Sequence, residues 1–168
     1  VSLQYLQLKL ADVGSGLPVT EDGLRQYYEQ VAPERFQDPE RRRARHILVE
    51  SGTDDAAAKK KADDVFAQAK AGADFAKLAT QYSDDSGSKA QGGELGWATR
   101  ESFVKPFADA LFAMQVGEVR EPVKTQFGYH VIQLEEVKAP HQRGFDDVRA
   151  ELETEYRSEQ AQSLFYEK

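Results

Sequence analysis

The middle of the sequence, from about Arg45 to Val137, predicts an α+β domain, flanked on both sides by segments of a different pattern. Three observations carry this expectation. Short β-rich runs occur at Ile47–Val49, Leu95–Ala98, Val119–Val123 and Tyr129–Val137. Between them, apolar residues recur three times at helical spacing. Gly and Pro stand where one pattern gives way to the next. The order read along this stretch is β-α-α-β-α-β-β, which contains four strands.

At the N-terminus, Val1, Leu3 and Tyr5 alternate with Ser2, Gln4 and Leu6, so Val1–Lys9 reads as a strand. Gly14-Ser15-Gly16 and Pro18 end it. Thr20 is placed to cap a helix, with Glu21 and Asp22 in its first turn. Leu24, Tyr27, Tyr28 and Val31 then fall on one helical face, and Pro33 and Pro39 are expected to bracket a loop. Ile47-Leu48-Val49 reads as a short buried strand ended by Gly52. Asp54 and Asp55 cap an Ala- and Lys-rich helix to about Ala71, which Gly72 stops. Phe75, Leu78, Ala79 and Tyr82 form a second stripe, and Ser83–Gly93 is a polar loop. After the Leu95–Ala98 strand, Phe107, Ala110, Leu111 and Met114 make a third stripe, and Gly117 resets the chain. The last two strands are joined by a turn at Gly128. Beyond Pro140, Phe145–Lys168 is a charged helix with Val148, Leu152 and Tyr156 on one face.

Composition excludes several functions. The 168 residues hold 22 Lys+Arg against 29 Asp+Glu, a net charge of −7. A nucleic-acid binder should be basic or carry a basic stripe, and Arg41-Arg42-Arg43 is too short to supply one. Cysteine is absent, which removes thiol chemistry, Cys-ligated zinc and disulfides. No apolar run reaches the ~18 residues needed to span a bilayer. The chain begins at Val1 and its sole methionine is Met114, so it is expected to be a processed product or an excerpt. Any secretory address or anchor would then lie outside it.

Few residues are placed to carry chemistry. His141 follows Pro140 and reads as an exposed bystander. His46 and His130 sit in strands, each two residues from an apolar neighbour, so both imidazoles lie on an inward or concave face. Two satisfied core histidines and a functional pair fit that alternation equally well. No third and fourth ligand accompanies them at useful spacing, so no metal and no cofactor is expected. The Ser83–Ser88 loop lacks the acidic spacing of a calcium hand. Gly92–Gly96 lacks the strand and helix of a phosphate cradle. No Ser-His-Asp order or nucleophile elbow is present. Leu95, Trp97, Phe103, Phe107 and Met114 gather around a Gly-rich loop, as core or as the lining of a small apolar pocket.

An ordered set of segments resembles the parvulin family of peptidyl-prolyl cis/trans isomerases. It consists of Ala44–Val49, Phe75–Ala79, Tyr82–Ser88, Gly92–Trp97, Phe103–Phe107, Val116–Val119 and Phe127–Ile132. The resemblance covers about Arg43 to Val137 and implies a small, mostly antiparallel sheet of about four strands surrounded by helices. It divides the chain into a flanking segment 1–42, an isomerase domain 43–138 and a C-terminal helix 139–168. Tyr5–Leu8, Val19–Tyr28 and Pro39–Arg42 resemble the PpiD-type folding factors, membrane-anchored periplasmic proteins whose parvulin domain is inserted in a chaperone domain. Related secreted foldases share the Tyr27-Tyr28 helix. Periplasmic localisation is therefore expected, with the parent anchored to the inner membrane.

The resemblance also implies roles. His46 and His130 become the paired imidazoles beneath the reacting bond, with Thr125 in their hydrogen-bond network. Asp85 takes the polar position facing the twisting amide, where some members carry Cys. Leu95, Phe103 and Phe107 form the proline-ring pocket, and Trp97 and Phe127 wall it; Phe103 stands where Met is frequent. The implied reaction is non-covalent rotation about X–Pro bonds of unfolded or extended polypeptides. The alternative is a client-binding module without turnover. No basic cluster occupies Ser51–Asp55, so phosphorylation before proline is not expected to be required. Apolar residues near both ends, Tyr5, Leu6, Leu8, Leu164, Phe165 and Tyr166, are expected to pack on missing parent chain, on each other or on a second copy.

Overall fold

The computed structural model describes residues 18–166, so the strand expected over Val1–Lys9 lies outside the described residues, as do Tyr5, Leu6 and Leu8. In chain order the elements are α1 (Glu21–Arg35), β1 (Gln37–Asp38), β2 (Arg41–Glu50), α2 (Asp55–Lys70), α3 (Phe75–Tyr82), β3 (Glu94–Ala98), α4 (Lys105–Leu111), β4 (Val119–Thr125), β5 (Gly128–Lys138), β6 (His141–Gln142) and α5 (Phe145–Tyr166). Single 3₁₀ turns occupy Lys89–Gln91 and Arg100–Ser102. The chain divides into two compact units, one running from Pro39 to Pro140 and the other formed by the segments on either side.

The Pro39–Pro140 unit is built on an antiparallel sheet of order β3-β2-β5-β4. This is the α+β class the sequence predicts. Alternation along β2 and β5 gives the sheet two apolar faces. On one, Ile47, Val49, Tyr129 and Val131 pack against Ala62 and Val65 of α2 and Phe75, Leu78 and Ala79 of α3. On the other, Ala44, Ile132 and Leu134 pack against Phe107 and Leu111 of α4, with Met114 just beyond. Asp54 and Asp74 cap α2 and α3 through their carboxylates, on the Ala57 and Lys77 N–H groups.

β2 is longer than the expected Ile47–Val49 core and begins at Arg41. Hydropathy hides this, because its first half is held by charge. Arg43 reaches Glu94 at 3.0 Å and Glu136 at 2.7 Å, and Arg45 reaches Glu135 at 2.6 Å. The guanidinium of Arg42 pairs with Glu40 and also donates to the Leu111 and Met114 carbonyls at and just beyond the end of α4.

In the other unit, α1 and α5 bury Leu24, Tyr27, Phe145, Val148 and Leu152 between them. Thr20 caps α1 as expected, its hydroxyl accepting from Gly23 N–H. The loop expected to start at Pro33 is instead the last turn of α1, which continues to Arg35. Proline forfeits one helical hydrogen bond there. Full burial of Ala32 and Phe36 and the Phe36 N–H to Ala32 carbonyl bond hold the turn regardless. The one element pair without a sequence signal is β1 with β6, two residues each. No described helix is long and apolar enough to cross a membrane.

Candidate active site

Register brings the two histidines together. β2 and β5 pair with His46 opposite Ile132 and His130 opposite Leu48, so the imidazoles are diagonal neighbours on the α4 face. Their Nδ1 atoms lie 3.1 Å apart, and both residues are buried. Gly93 sets the depth of His46. It receives the His46 N–H on its carbonyl, has φ +80°, and a Cβ there would stand 2.3 Å from the His46 carbonyl oxygen.

The imidazoles form the middle of a longer chain. His46 Nε2 is 2.7 Å from Asp85 Oδ2, and His130 Nε2 is 2.8 Å from Thr125 Oγ1. Thr125 Oγ1 in turn accepts the Phe127 N–H at 3.1 Å. Proton placement follows from these partners. A carboxylate only accepts, so His46 donates from Nε2 and its Nδ1 is left as an acceptor. His130 then donates from Nδ1, and its Nε2 accepts the Thr125 hydroxyl. Every donor in the row points toward Asp85.

Electrostatics agree with a neutral His130 ring and an anionic Asp85. Burial, aided by His46, pushes the His130 imidazole down to about 4. Burial alone would raise the Asp85 carboxyl, but hydrogen bonds from Ser88, His46 and Gly87 outweigh it and hold the group below its ordinary range. Asp85 is therefore ionised at neutral pH.

Beside this row lies an open groove of about 390 Å³, lined by Leu48, Leu95, Phe103, Val104, Phe107 and Phe127, with Ser102 and the polar edges of His46, His130 and Asp85. Phe107 is its floor. The ring stands edge-on to His46 at 5.8 Å and 79° and to His130 at 5.2 Å and 83°, and it packs on Phe103 at 4.8 Å. Phe127, at the tip of the β4–β5 hairpin, is 52% exposed and forms the rim.

Of the nine residues singled out from the sequence, eight meet at this place. The ninth, Trp97, is not among the groove's lining residues. Gly96 has φ +70° and interrupts the alternation of β3, so Trp97 pairs with Arg43 and its ring lies 4.3 Å from the Lys138 ammonium. Ser88 was missed. It is buried, and its hydroxyl donates to Asp85 Oδ2 at 2.5 Å. Its spacing three residues after an Asp is the one signal that could have marked it. Among the described residues, no group of three or more His, Asp or Glu is placed to hold a metal ion.

A family model for the PpiC-type peptidyl-prolyl isomerase domain matches residues 31–138. The chain belongs to this family. Similar parvulin-type proteins extend the match into the flanks. Foldase protein PrsA of Geobacillus sp. is 38% identical over 157 residues, covering 92% of this chain and 50% of the foldase. A probable parvulin-type isomerase of Bordetella pertussis is 38% identical over 146 residues, covering 86% of this chain and 54% of the other. Among solved structures, one from a Campylobacter jejuni study of PEB4 and the periplasmic protein Cj1289, described as SurA-like chaperones, superposes with a TM-score of 0.77. It shares 33% identity and covers 94% of this chain and 62% of that one. The chain thus spans about half the length of the curated parvulin relatives it matches.

Proposed function

We propose that this chain catalyses cis/trans isomerisation of X–Pro bonds in unfolded or extended polypeptides, without covalent chemistry. The single observation that carries the reading is the apolar seat on Phe107, set against a buried imidazole pair and a fixed carboxylate. The proline ring rests on Phe107 between Leu95 and Phe103, with Phe127 closing the open side. His46, His130 and Thr125 do not exchange protons with substrate. They hold Asp85 and the floor of the groove in place.

The barrier is about 18–20 kcal/mol and comes from amide resonance, which puts negative charge on oxygen and positive charge on nitrogen. Twisting removes that separation. Water favours the more polar planar form, so an apolar seat lowers the cost of the twist. A carboxylate beside the carbonyl oxygen repels the planar form more than the twisted one, so its effect is differential and acts on turnover.

Residues 1–42 and 139–168 are read as parts of a host chaperone domain into which the isomerase domain, 43–138, is inserted. An extracytoplasmic location, with a PpiD-like anchor to the inner membrane in the parent, follows from the flanking resemblance. Similarity to a foldase and to a SurA-like chaperone structure from a study that includes the periplasmic protein Cj1289 supports the location.

An isomerisation assay on a short proline peptide and its phosphoserine counterpart tests the activity. Wild-type chain should accelerate the plain peptide at least as well as the phosphorylated one, because Asp85 is anionic and Ser51–Asp55 holds no cation to meet a phosphate. A rate left at the uncatalysed value while peptide binds would replace this reading with that of a client-holding module.

A further inference from the structure

We infer that Ser88 is a positioning residue for this site, fixing the orientation of the Asp85 carboxylate through a closed triangle with His46. The inference rests on the isomerase reading but adds a residue to it. Three distances define the triangle. Ser88 Oγ is 2.5 Å from Asp85 Oδ2 and 3.2 Å from His46 Nε2, and that Nε2 is 2.7 Å from the same Oδ2. Ser88 has one hydroxyl proton, and the shorter contact takes it. The Ser88 lone pair is then free to receive a share of the His46 Nε2–H, so each corner is satisfied with the proton placement already derived.

The corner is anchored independently of substrate. Ser88 is 3% exposed, and its carbonyl accepts the Gly93 and Gln91 N–H groups. Asp85 Oδ1 is held from the other side by the Gly87 N–H at 3.0 Å. Without the hydroxyl, Oδ2 keeps His46 alone, and a partly exposed carboxylate gains freedom about its terminal torsion. The remaining titratable neighbours do not compensate. His46 faces Asp85 from β2, and His130 from β5 stands behind it. Asp84 is turned away, to the Glu50 N–H and toward Lys61. Preorganisation of a charge acts in the transition state and little on binding, so the loss should appear in kcat with KM nearly unchanged.

The test compares wild type, Ser88→Ala and Ser88→Thr. Two readouts are used: the pH dependence of peptide isomerisation, and the titration of the Asp85 carboxyl carbon followed by NMR. A hydrogen bond to a charged group supports an expected loss of about tenfold in kcat for Ser88→Ala. The acid limb and the Asp85 titration should move together to higher pH, and Ser88→Thr should restore both. An unmoved Asp85 titration in Ser88→Ala overturns the inference, whatever happens to turnover. So does a shifted titration with unchanged kcat. Absence of turnover in wild type would instead sink the isomerase reading alone, because the carboxyl titration reads the triangle without substrate.

Discussion

Asp85→Asn tests the mechanism most directly, because it removes a charge while preserving shape. The carboxylate accepts from His46, Ser88 and Gly87. An amide keeps one acceptor, which the Gly87 N–H can retain, and places two donors where Oδ2 stood. His46 Nε2 must then accept instead of donate. Its proton moves to Nδ1, His130 must accept there, and His130 donates from Nε2 to Thr125. The whole row of donors reverses. The side chain of Asp85 is 29% exposed, so relaxation is available and the fold should survive. Hydrogen bonds to a charged acceptor are worth roughly 1.5–3 kcal/mol each. Transferring even one such increment to the transition state slows turnover about tenfold to a hundredfold. The assay is peptide isomerisation, paired with imidazole ¹⁵N shifts that report each tautomer. In wild type, activity should fall with acid as Asp85 protonates, at a pH below the ordinary carboxyl range. In Asp85→Asn that limb should vanish. Turnover within twofold of wild type in a variant whose imidazoles have reversed would refute the electrostatic role of Asp85.

Two further outcomes follow from the same geometry. Burial holds His130 at about 4 in the folded chain against 6.5 unperturbed, so between these values the unfolded state binds the extra proton and stability falls as pH falls. The full loss is about 3 kcal/mol, absent above pH 6.5; urea midpoints at pH 7 and pH 4.5 that coincide would contradict it. Gly93→Ala should destabilise by about 2 kcal/mol or more, from the positive φ and the clash with His46, lowering Tm by roughly 10 °C; an unchanged thermal melt would show that β2 and β3 are not held at this close approach.

The legible parts of the fold are those written in local chemistry. Asp54 and Thr20 cap helices at the positions their spacing suggests, and alternation turns His46 and His130 inward. That these histidines touch was not legible in alternation, because strand register depends on the partner strand; their pairing came from resemblance. The start of β2 was hidden for another reason. Arg41–Arg43 reads as solvated charge until Glu94, Glu135 and Glu136 arrive from β3 and β5. Pro33 misled because burial of Ala32 and Phe36 outweighs one missing hydrogen bond. Trp97 was placed in the pocket wall by resemblance, and the positive-φ Gly96 just before it breaks the two-residue period of β3. The groove residues Leu95, Phe103 and Phe107 carried only an apolar signal in the sequence. Their grouping around a carboxylate came from resemblance and is visible as geometry only after folding.

The pairing of Gln37 with Gln142 and Asp38 with His141 has a kinetic consequence. Contacts of α1 with α5 and the segment just before it join residues separated by more than 100 positions, as in the 2.6 Å bond from Tyr28 to the Arg143 carbonyl. Closing so long a loop in an unstructured chain is slow and entropically costly. Pairing of Arg41 with Lys138 at the ends of β2 and β5 shortens it to 18 residues or fewer. The saving is about 2 kcal/mol of loop entropy. The inserted unit is thus a folding shortcut for the segments that flank it: it should form first, and the α1–α5 pair should zip up behind it as a nearly local event.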